Sequence, residues 1–437
     1  LPTTIAIESK TVSVRGFATP YQHLYLVKTV TDDSGRVLDE RVIRGDAGGD
    51  ATLVTQADIP LARSADARGS ATPEQRNHTD LNLGGRDPEA VWQLMVQHAV
   101  NVDKANLLYG VESFGFETGD GANSNTLVAS ALHTVGINLA THLPKGVTFN
   151  EVPLFNRLDE MTVNDVLIGQ TGNDRVYGGV GHDRIQGGDG ADRLYGESGS
   201  DYLFGGNGDD LLDGSSGIDR MDGGAGNDVY RIDNPRDRVI ESDESSAGGV
   251  DRVYSAVSFN LSSRAEMSGV EQLILSGARQ ISGRGNSLDN YISGTSLDNR
   301  LAGGAGNDTL KGGNGDDVLH GGGGGDFLKG DRGRDTFLFK STPESLAGET
   351  TRDQVLDFTS SDVIDLRSID ANTLVDGNQA FSFIGSAAFT GAGQLRFEVD
   401  GSGNTIVQAD VDGNLTADFE VLLQNYTAGL SKDDFLL

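Results

Sequence analysis

Aspartates stand at positions 165, 174, 183, 192, 201, 210, 219 and 228, one every nine residues. An apolar residue follows two places later, at Val176, Ile185, Leu194, Leu203, Leu212 and Met221. Carboxylates held at a fixed spacing are suited to binding a hard divalent cation. Ca²⁺ takes about 6–8 oxygens, from carboxylates and backbone carbonyls alike, at roughly 2.3–2.6 Å. The residues between the aspartates make such a site possible. One unit runs Gly178-Gly179-Val180-Gly181-His182-Asp183-Arg184-Ile185-Gln186 and the next opens at Gly187-Gly188. A Gly-Gly-x-Gly-x-Asp run cannot be helix, where each glycine costs about 1 kcal/mol relative to alanine. It can be a tight turn, because glycine accepts positive φ. The three residues after each aspartate then make a short strand with the middle side chain inward. Two such units close one coil of a flattened right-handed roll, and stacked coils bring aspartates together. Without a cation those carboxylates would repel one another.

A second block repeats the pattern at Gly303 to Asp308, Gly312 to Asp317, Gly321 to Asp326 and Gly330 to Asp335. This nonapeptide resembles that of the RTX (repeats-in-toxin) calcium-binding proteins, which bacteria export through type I systems. The resemblance implies a parallel β-roll with several Ca²⁺ ions. Their expected ligands are Asp174, Asp183, Asp192, Asp201, Asp210, Asp219, Asp228, Asp308, Asp317, Asp326 and Asp335. Asn290 and Asn299 occupy the same phase, so their turns are expected to bind weakly or stay empty. Gln170, Glu197 and Ser215 replace the second glycine of their units.

The chain has 437 residues and a net charge of −31. Residues 1–160 hold 20 acidic and 13 basic side chains (20 − 13 = 7 negative), which leaves 24 of the 31 negative charges to the rest. Such acidity excludes nucleic acid as a partner, since phosphate binding needs clustered Lys and Arg. It also predicts a roll region too self-repelling to fold without calcium. Cysteine is absent, which rules out disulfides, thiolate catalysis and Cys-type zinc sites. No apolar run reaches the ~18 residues of a membrane span. The start, Leu1-Pro2-Thr3-Thr4, does not read as a Sec signal peptide. The end, Asp433-Asp434-Phe435-Leu436-Leu437, looks like a type I export signal, which makes the type I machinery a partner, secretion the expected fate, and folding an event after export.

The fold class expected is mainly β, in five segments. Residues 1–160 form an N-terminal α+β effector domain, and 161–231 the first calcium block. Residues 232–284 make a roll-like connection with few or no calcium sites, 285–340 the second block, and 341–437 a C-terminal β domain. The last segment, through Asp362 to Leu366, Gln379 to Gly385 and Gly391 to Phe397, resembles the C-terminal domain of serralysin-type proteases. Their catalytic His-Glu-x-x-His is absent, so protease activity is not implied. In the first segment Thr11–Phe17, Tyr21–Val30 and Val37–Arg44 read as strands. Asp87-Pro88 reads as the cap and first residue of a helix. That helix is expected to bury Val91, Trp92, Met95, Val96, Ala99 and Val100, with His98 on its polar side. A second helix opens at Asn123-Ser124-Asn125-Thr126.

No Gly-x-Ser-x-Gly elbow and no zinc-spaced cluster occurs in residues 1–160. One arrangement offers acyl chemistry: His23 on a strand and Ser124 at a helix N-terminus. This order resembles permuted papain-like hydrolases of the NlpC/P60 type, in which the helix position is cysteine. A helix N-terminus favours developing negative charge. His23 would be the base, and Asp39 on the next strand the orienting group. Serine at a helix start is equally a favoured N-cap. The sequence therefore reads as an extracellular calcium-binding protein with either an amide or ester hydrolase at its N-terminus or a non-catalytic adhesin, matrix or surface-layer module for an unknown extracellular target.

Overall fold

The computed structural model describes residues 2–14, 17–47, 53–60, 77–105, 124–137, 163–241 and 248–437. The fold is mainly β, with a parallel β-solenoid and two α-helices among the described residues. Two compact units divide it: residues 1–225 with 236–238, and 226–235 with 239–437.

The first unit opens with an antiparallel sheet. Strands β1 (Thr3–Val14), β2 (Phe17–Thr31), β3 (Val37–Ala47), β4 (Leu53–Pro60) and β5 (Asn77–Asp80) lie in the order β4-β3-β2-β1-β5. The stretch Thr11–Phe17 is therefore not one strand. It spans the end of β1 and the start of β2, which pair Val14 with Phe17. Alternation alone did not reveal the reversal, because both strand ends carry the same pattern. Helix α1 (Pro88–Ala105) starts where expected, and Asp87 Oδ2 accepts the backbone N–H of Ala90 at 3.1 Å. Its buried face holds Val91, Trp92, Leu94, Met95, His98 and Ala99, whereas Val100 is exposed. The face is rotated from the expected one, so His98 points inward. Trp92 secures the helix to the sheet by donating from Nε1 to Asp58 Oδ1 at 2.9 Å. Helix α2 (Ser124–Thr134) packs on β2, β3 and α1 and buries Val128, Ala131 and Leu132.

The roll follows. Leu167, Ile185, Leu203 and Met221 stand in parallel register in one sheet, and Val176, Leu194 and Leu212 in the other. The register step is eighteen residues, two nonapeptides per coil, and each of these side chains is fully buried. The strands run longer than the expected three residues: Arg184–Asp189 and Tyr202–Asn207 have six, with two buried positions, and the second of these is a glycine (Gly187, Gly205), so one apolar side chain per unit builds the core.

The second unit continues the same logic with longer steps. Tyr230, Val253, Leu273, Ile292, Leu310, Leu328 and Val355 form one buried row. Leu301, Leu319, Phe337 and Ile364 form the other. The C-terminal segment adds an antiparallel meander, Gln394–Val399, Thr405–Asp410 and Phe419–Leu423, whose last strand runs parallel to Asp353–Val355. Phe435–Leu436 pairs with Val363–Asp365 after a 3₁₀ turn capped by Ser431 and Asp434. Among the described residues no helix is long and apolar enough to cross a membrane.

Each row depends on uninterrupted stacking. Leu203→Ala or Leu310→Ala should lower the stability of the calcium-loaded chain by about 2–5 kcal/mol, whereas exposed Val100→Ala should change it by less than about 0.5 kcal/mol. Chemical denaturation of the three variants measures the difference.

Candidate metal centre

The aspartates are buried, and they are connected in a repeating way. The backbone N–H of each donates to Oδ1 of the aspartate one coil later: Asp165 to Asp183 at 2.7 Å, Asp174 to Asp192 at 2.7 Å, Asp183 to Asp201 at 2.8 Å and Asp192 to Asp210 at 2.7 Å. Asp201 likewise donates to Asp219, and Asp219 to Asp237. In the second unit Asp228 donates to Asp251 and Asp308 to Asp326, both at 2.7 Å. Asp317 donates to Asp335, Asp326 to Asp353 and Asp335 to Asp362, all at 2.9 Å.

One oxygen of each carboxylate thus fixes the next coil. The other is a different matter. Oδ2 of Asp174, Asp183, Asp192, Asp201, Asp308, Asp317 and Asp326 is buried with no protein hydrogen-bond donor. The same holds for Asp251 and Asp353. A buried, ionised oxygen without a partner is strongly disfavoured. Burial accordingly pushes these carboxyls up: Asp174 and Asp317 to about 7, Asp183, Asp251 and Asp308 to about 8, and Asp353 to about 9. Neighbouring aspartates add to the shift; Asp192 does so at Asp174.

The first glycine of each unit shapes the space beside that oxygen. A Cβ on Gly187 would run into Asp192 Oδ2 and stand 2.8 Å from the carbonyl oxygen of Gly205, one coil later. Gly178 has the same surroundings, Asp183 Oδ2 and the Gly196 carbonyl, and Gly312 has Asp317 Oδ2 and the Gly330 carbonyl. A carboxylate Oδ2 and a carbonyl oxygen converge there, with no N–H donor on that Oδ2. That is the donor set of a hard cation. The second glycine has positive φ, as at Gly188 (118°). Where it is replaced, the backbone keeps the same region: Gln170 at 80°, Glu197 at 71° and Ser215 at 56°. Stacking dictates the turn, and these residues bear the strain.

Two kinds of rung close without a cation. At Asn290 and Asn299 the carboxamide Oδ1 accepts a local N–H, while Nδ2 donates to the carbonyls of Val270 (3.1 Å) and Ile281 (2.9 Å). At Asp165 the helices supply the donors. His98 Nδ1 lies 2.8 Å from Oδ2, and Asn101 Nδ2 donates to Oδ1 at 3.0 Å.

Residues 232–284, expected to carry few or no cation sites, contribute Glu241 and Asp251 to a tight acidic cluster. Carboxylate oxygens of Asp228, Glu241 and Asp251 lie within 4.8 Å of one another, all fully buried or nearly so. Sequence reasoning found Asp228 but missed Asp237, Glu241, Asp251, Asp353 and Asp362. A signal existed. Each of these aspartates keeps a buried apolar residue two places on, at Val239, Val253, Val355 and Ile364. Asp237 even keeps the eighteen-residue step from Asp219, whereas Asp251, Asp353 and Asp362 follow their predecessors by 23, 27 and 27 residues.

A family model for the RTX calcium-binding nonapeptide repeat matches residues 163–194, 177–212, 195–230, 284–319, 293–328 and 302–337. These two segments are RTX calcium-binding repeats. The chain is also similar to two solved modules of the mannuronan C5-epimerase of Azotobacter vinelandii. The AlgE6R3 subunit shares 31% identity over 34% of this chain and 78% of its own, with a TM-score of 0.27. The AlgE6R2 subunit shares 32% over 37% of this chain and 94% of its own, with a TM-score of 0.28. No curated protein matches the chain. The resemblances of residues 341–437 to serralysins and of residues 1–160 to NlpC/P60 hydrolases are not shown by these likenesses.

The other expected site residues lie apart from the RTX rungs. His23 is in β2, opposite Lys10, and Ser124 is the first residue of α2; their side chains fall outside the described residues. Asp39 stands opposite Val30, seven residues along β2 from His23 and so roughly 23 Å away. Its carboxylate pairs with Arg41 Nε at 2.8 Å. The strand register therefore takes Asp39 out of the orienting role expected for it.

The raised carboxyl values carry a sign. The cation-free roll binds more protons than the unfolded chain, whose aspartates titrate near 3.9. Its stability is therefore greatest below about 4 and is lost progressively as pH rises from there through the folded values of about 6 to about 9. In chelator, β-structure followed by circular dichroism should rise as pH falls from 8 to 5, opposite to ordinary acid unfolding.

Proposed function

We propose that this protein works outside the cell, in a calcium-rich medium, and that calcium binding is its folding switch. The observation that carries this reading is the row of buried Oδ2 atoms in the RTX rungs with no protein donor. A cation placed against them satisfies charges that otherwise oppose folding, so its binding energy becomes folding energy. The net charge of −31 adds self-repulsion to the cation-free state. The ions are assigned to the rungs of Asp174 to Asp228 and Asp308 to Asp335, with Asp251 and Asp353 as added ligands. Asp165, Asn290 and Asn299 are assigned none.

Export through a type I system fits the same reading, because a chain that folds only on calcium stays unfolded inside the cell. Phe435 and Leu436 would then serve first as an export signal and afterwards as the last strand of the roll sheet. Residues 1–160 carry the effector role. For this role His23 and Ser124 remain a candidate base and nucleophile, on two elements that pack together.

Calcium titration of the chain in chelator at pH 8 should convert a disordered circular-dichroism spectrum into a β spectrum. Asp317→Asn should raise the midpoint. A β-roll already formed in chelator at pH 8 would refute the switch. Deleting residues 378–437 should abolish export from a type I host. For the effector role, His23→Ala and Ser124→Ala should remove hydrolysis of amide probes with melting temperature unchanged.

A further inference from the structure

A second constellation lies in the first unit, where the two helices meet the roll. His98 of α1 stands between Ser130 of α2 and Asp165 at the first rung. Its Nε2 is 2.9 Å from Ser130 Oγ and its Nδ1 is 2.8 Å from Asp165 Oδ2. An ionised carboxylate only accepts, so Nδ1 carries the proton of the neutral imidazole. Nε2 then presents its lone pair to the Ser130 hydroxyl. Asn101 holds the carboxylate by donating to Oδ1. All four side chains are buried. Ser130, His98 and Asp165 together line a cavity of about 290 Å³. Its wall includes Gly179 of the roll and the ion pair of His133 with Glu197 at 2.6 Å.

A helix-capping serine or a core histidine needs only one partner. Here a hydroxyl, an imidazole and a carboxylate are strung in one line and open on a void. We infer that Ser130 is a nucleophile, His98 its general base and Asp165 the positioning residue of a hydrolytic site for small carboxylic esters. Ser130 Oγ bonds to the ester carbonyl carbon as its proton passes to His98 Nε2. The bond from that carbon to the alcohol oxygen then breaks, and the proton on Nε2 goes to the departing alkoxide. Water repeats the sequence on the acyl-serine: it loses a proton to His98, releases the carboxylic acid and restores the Ser130 hydroxyl. The void's volume limits the acyl group to a small one.

The site also couples to the roll, and this part rests on the calcium reading above. The backbone N–H of Asp165 donates to Asp183 Oδ1 at 2.7 Å, and Gly178, Gly179 and Val180 supply one wall. The positioning residue and that wall exist only while the roll is folded, so calcium would gate the chemistry.

The full chain, calcium-loaded at pH 8, is treated with a fluorophosphonate probe and with p-nitrophenyl acetate. Intact mass should show one adduct, mapping to Ser130. Ser130→Ala should lack it and should lose p-nitrophenyl acetate hydrolysis, and exposed Val100→Ala should keep both. His98→Gln should slow labelling about 10²–10⁴-fold, the usual worth of a general base. Circular dichroism and melting temperature should show each variant folded. If His98→Gln does not fold, Ser130→Ala, which removes one oxygen atom, still decides the matter. No adduct on the folded wild-type chain, or an adduct that survives in Ser130→Ala, overturns the relay. Chelator should abolish labelling together with the β spectrum. Labelling and β structure that both persist in chelator would leave the relay standing and refute calcium gating.

Discussion

The structure depends on how a buried carboxylate divides its two oxygens. Oδ1 of each ladder aspartate accepts the backbone amide of the aspartate one coil earlier, and so holds two coils in register. Oδ2 of Asp174, Asp183, Asp192, Asp201, Asp308, Asp317 and Asp326 is buried where no protein N–H meets it. Most of the repeat's composition follows from this division. The first glycine lacks a side chain because a Cβ would collide with Oδ2. The second takes a left-handed turn. The apolar residue after the aspartate fills a core only one side chain deep. So thin a core works against the burial of many carboxylates, and the proposed cation relieves that burial.

Three solutions to the second oxygen coexist along the chain. Most rungs leave it for a cation. Asn290 and Asn299 replace it with an amide nitrogen, which donates to a carbonyl and needs no ion. Asp165 hands its carboxylate to His98 and Asn101. That last solution gives the end of the roll in the first unit its cover. A solenoid exposes its final coil unless another element caps it, and helix α1 brings a ring nitrogen and an amide to the place a cation would occupy. The capping histidine then has a second nitrogen to spare, and Ser130 meets it. Stabilisation of the roll and the proposed chemistry therefore share one residue.

The Asp-x-apolar pair outlasts the nonapeptide. At Asp251, Asp353 and Asp362 the coil steps lengthen to 23, 27 and 27 residues, yet the carboxylate still accepts the preceding amide and the apolar residue still joins its row. Loop length can vary because only the rung and the row touch neighbouring coils. Spacing is thus the weaker part of the signature, and the pairing of an acid with an inward apolar side chain the stronger.

The sequence by itself determined the local pattern. Fixed spacing of Gly, Asp and one apolar residue admits a turn and a short inward-facing strand and little else, so coil size, core rows, the buried aspartates and the exceptional asparagines were legible. The capped start of α1 was legible for the same reason: its signals lie within a few residues. What the sequence could not decide was which distant groups meet. The face of α1 is set by the sheet and roll it packs against, not by its hydrophobic residues alone, and that rotation carried His98 from the expected polar side into a buried bridge between Ser130 and Asp165, residues 32 and 67 positions away. Strand register likewise separated Asp39 from His23. Contacts of this range depend on how whole elements dock, and docking is settled by the summed burial of many side chains, which only the tertiary structure brings together.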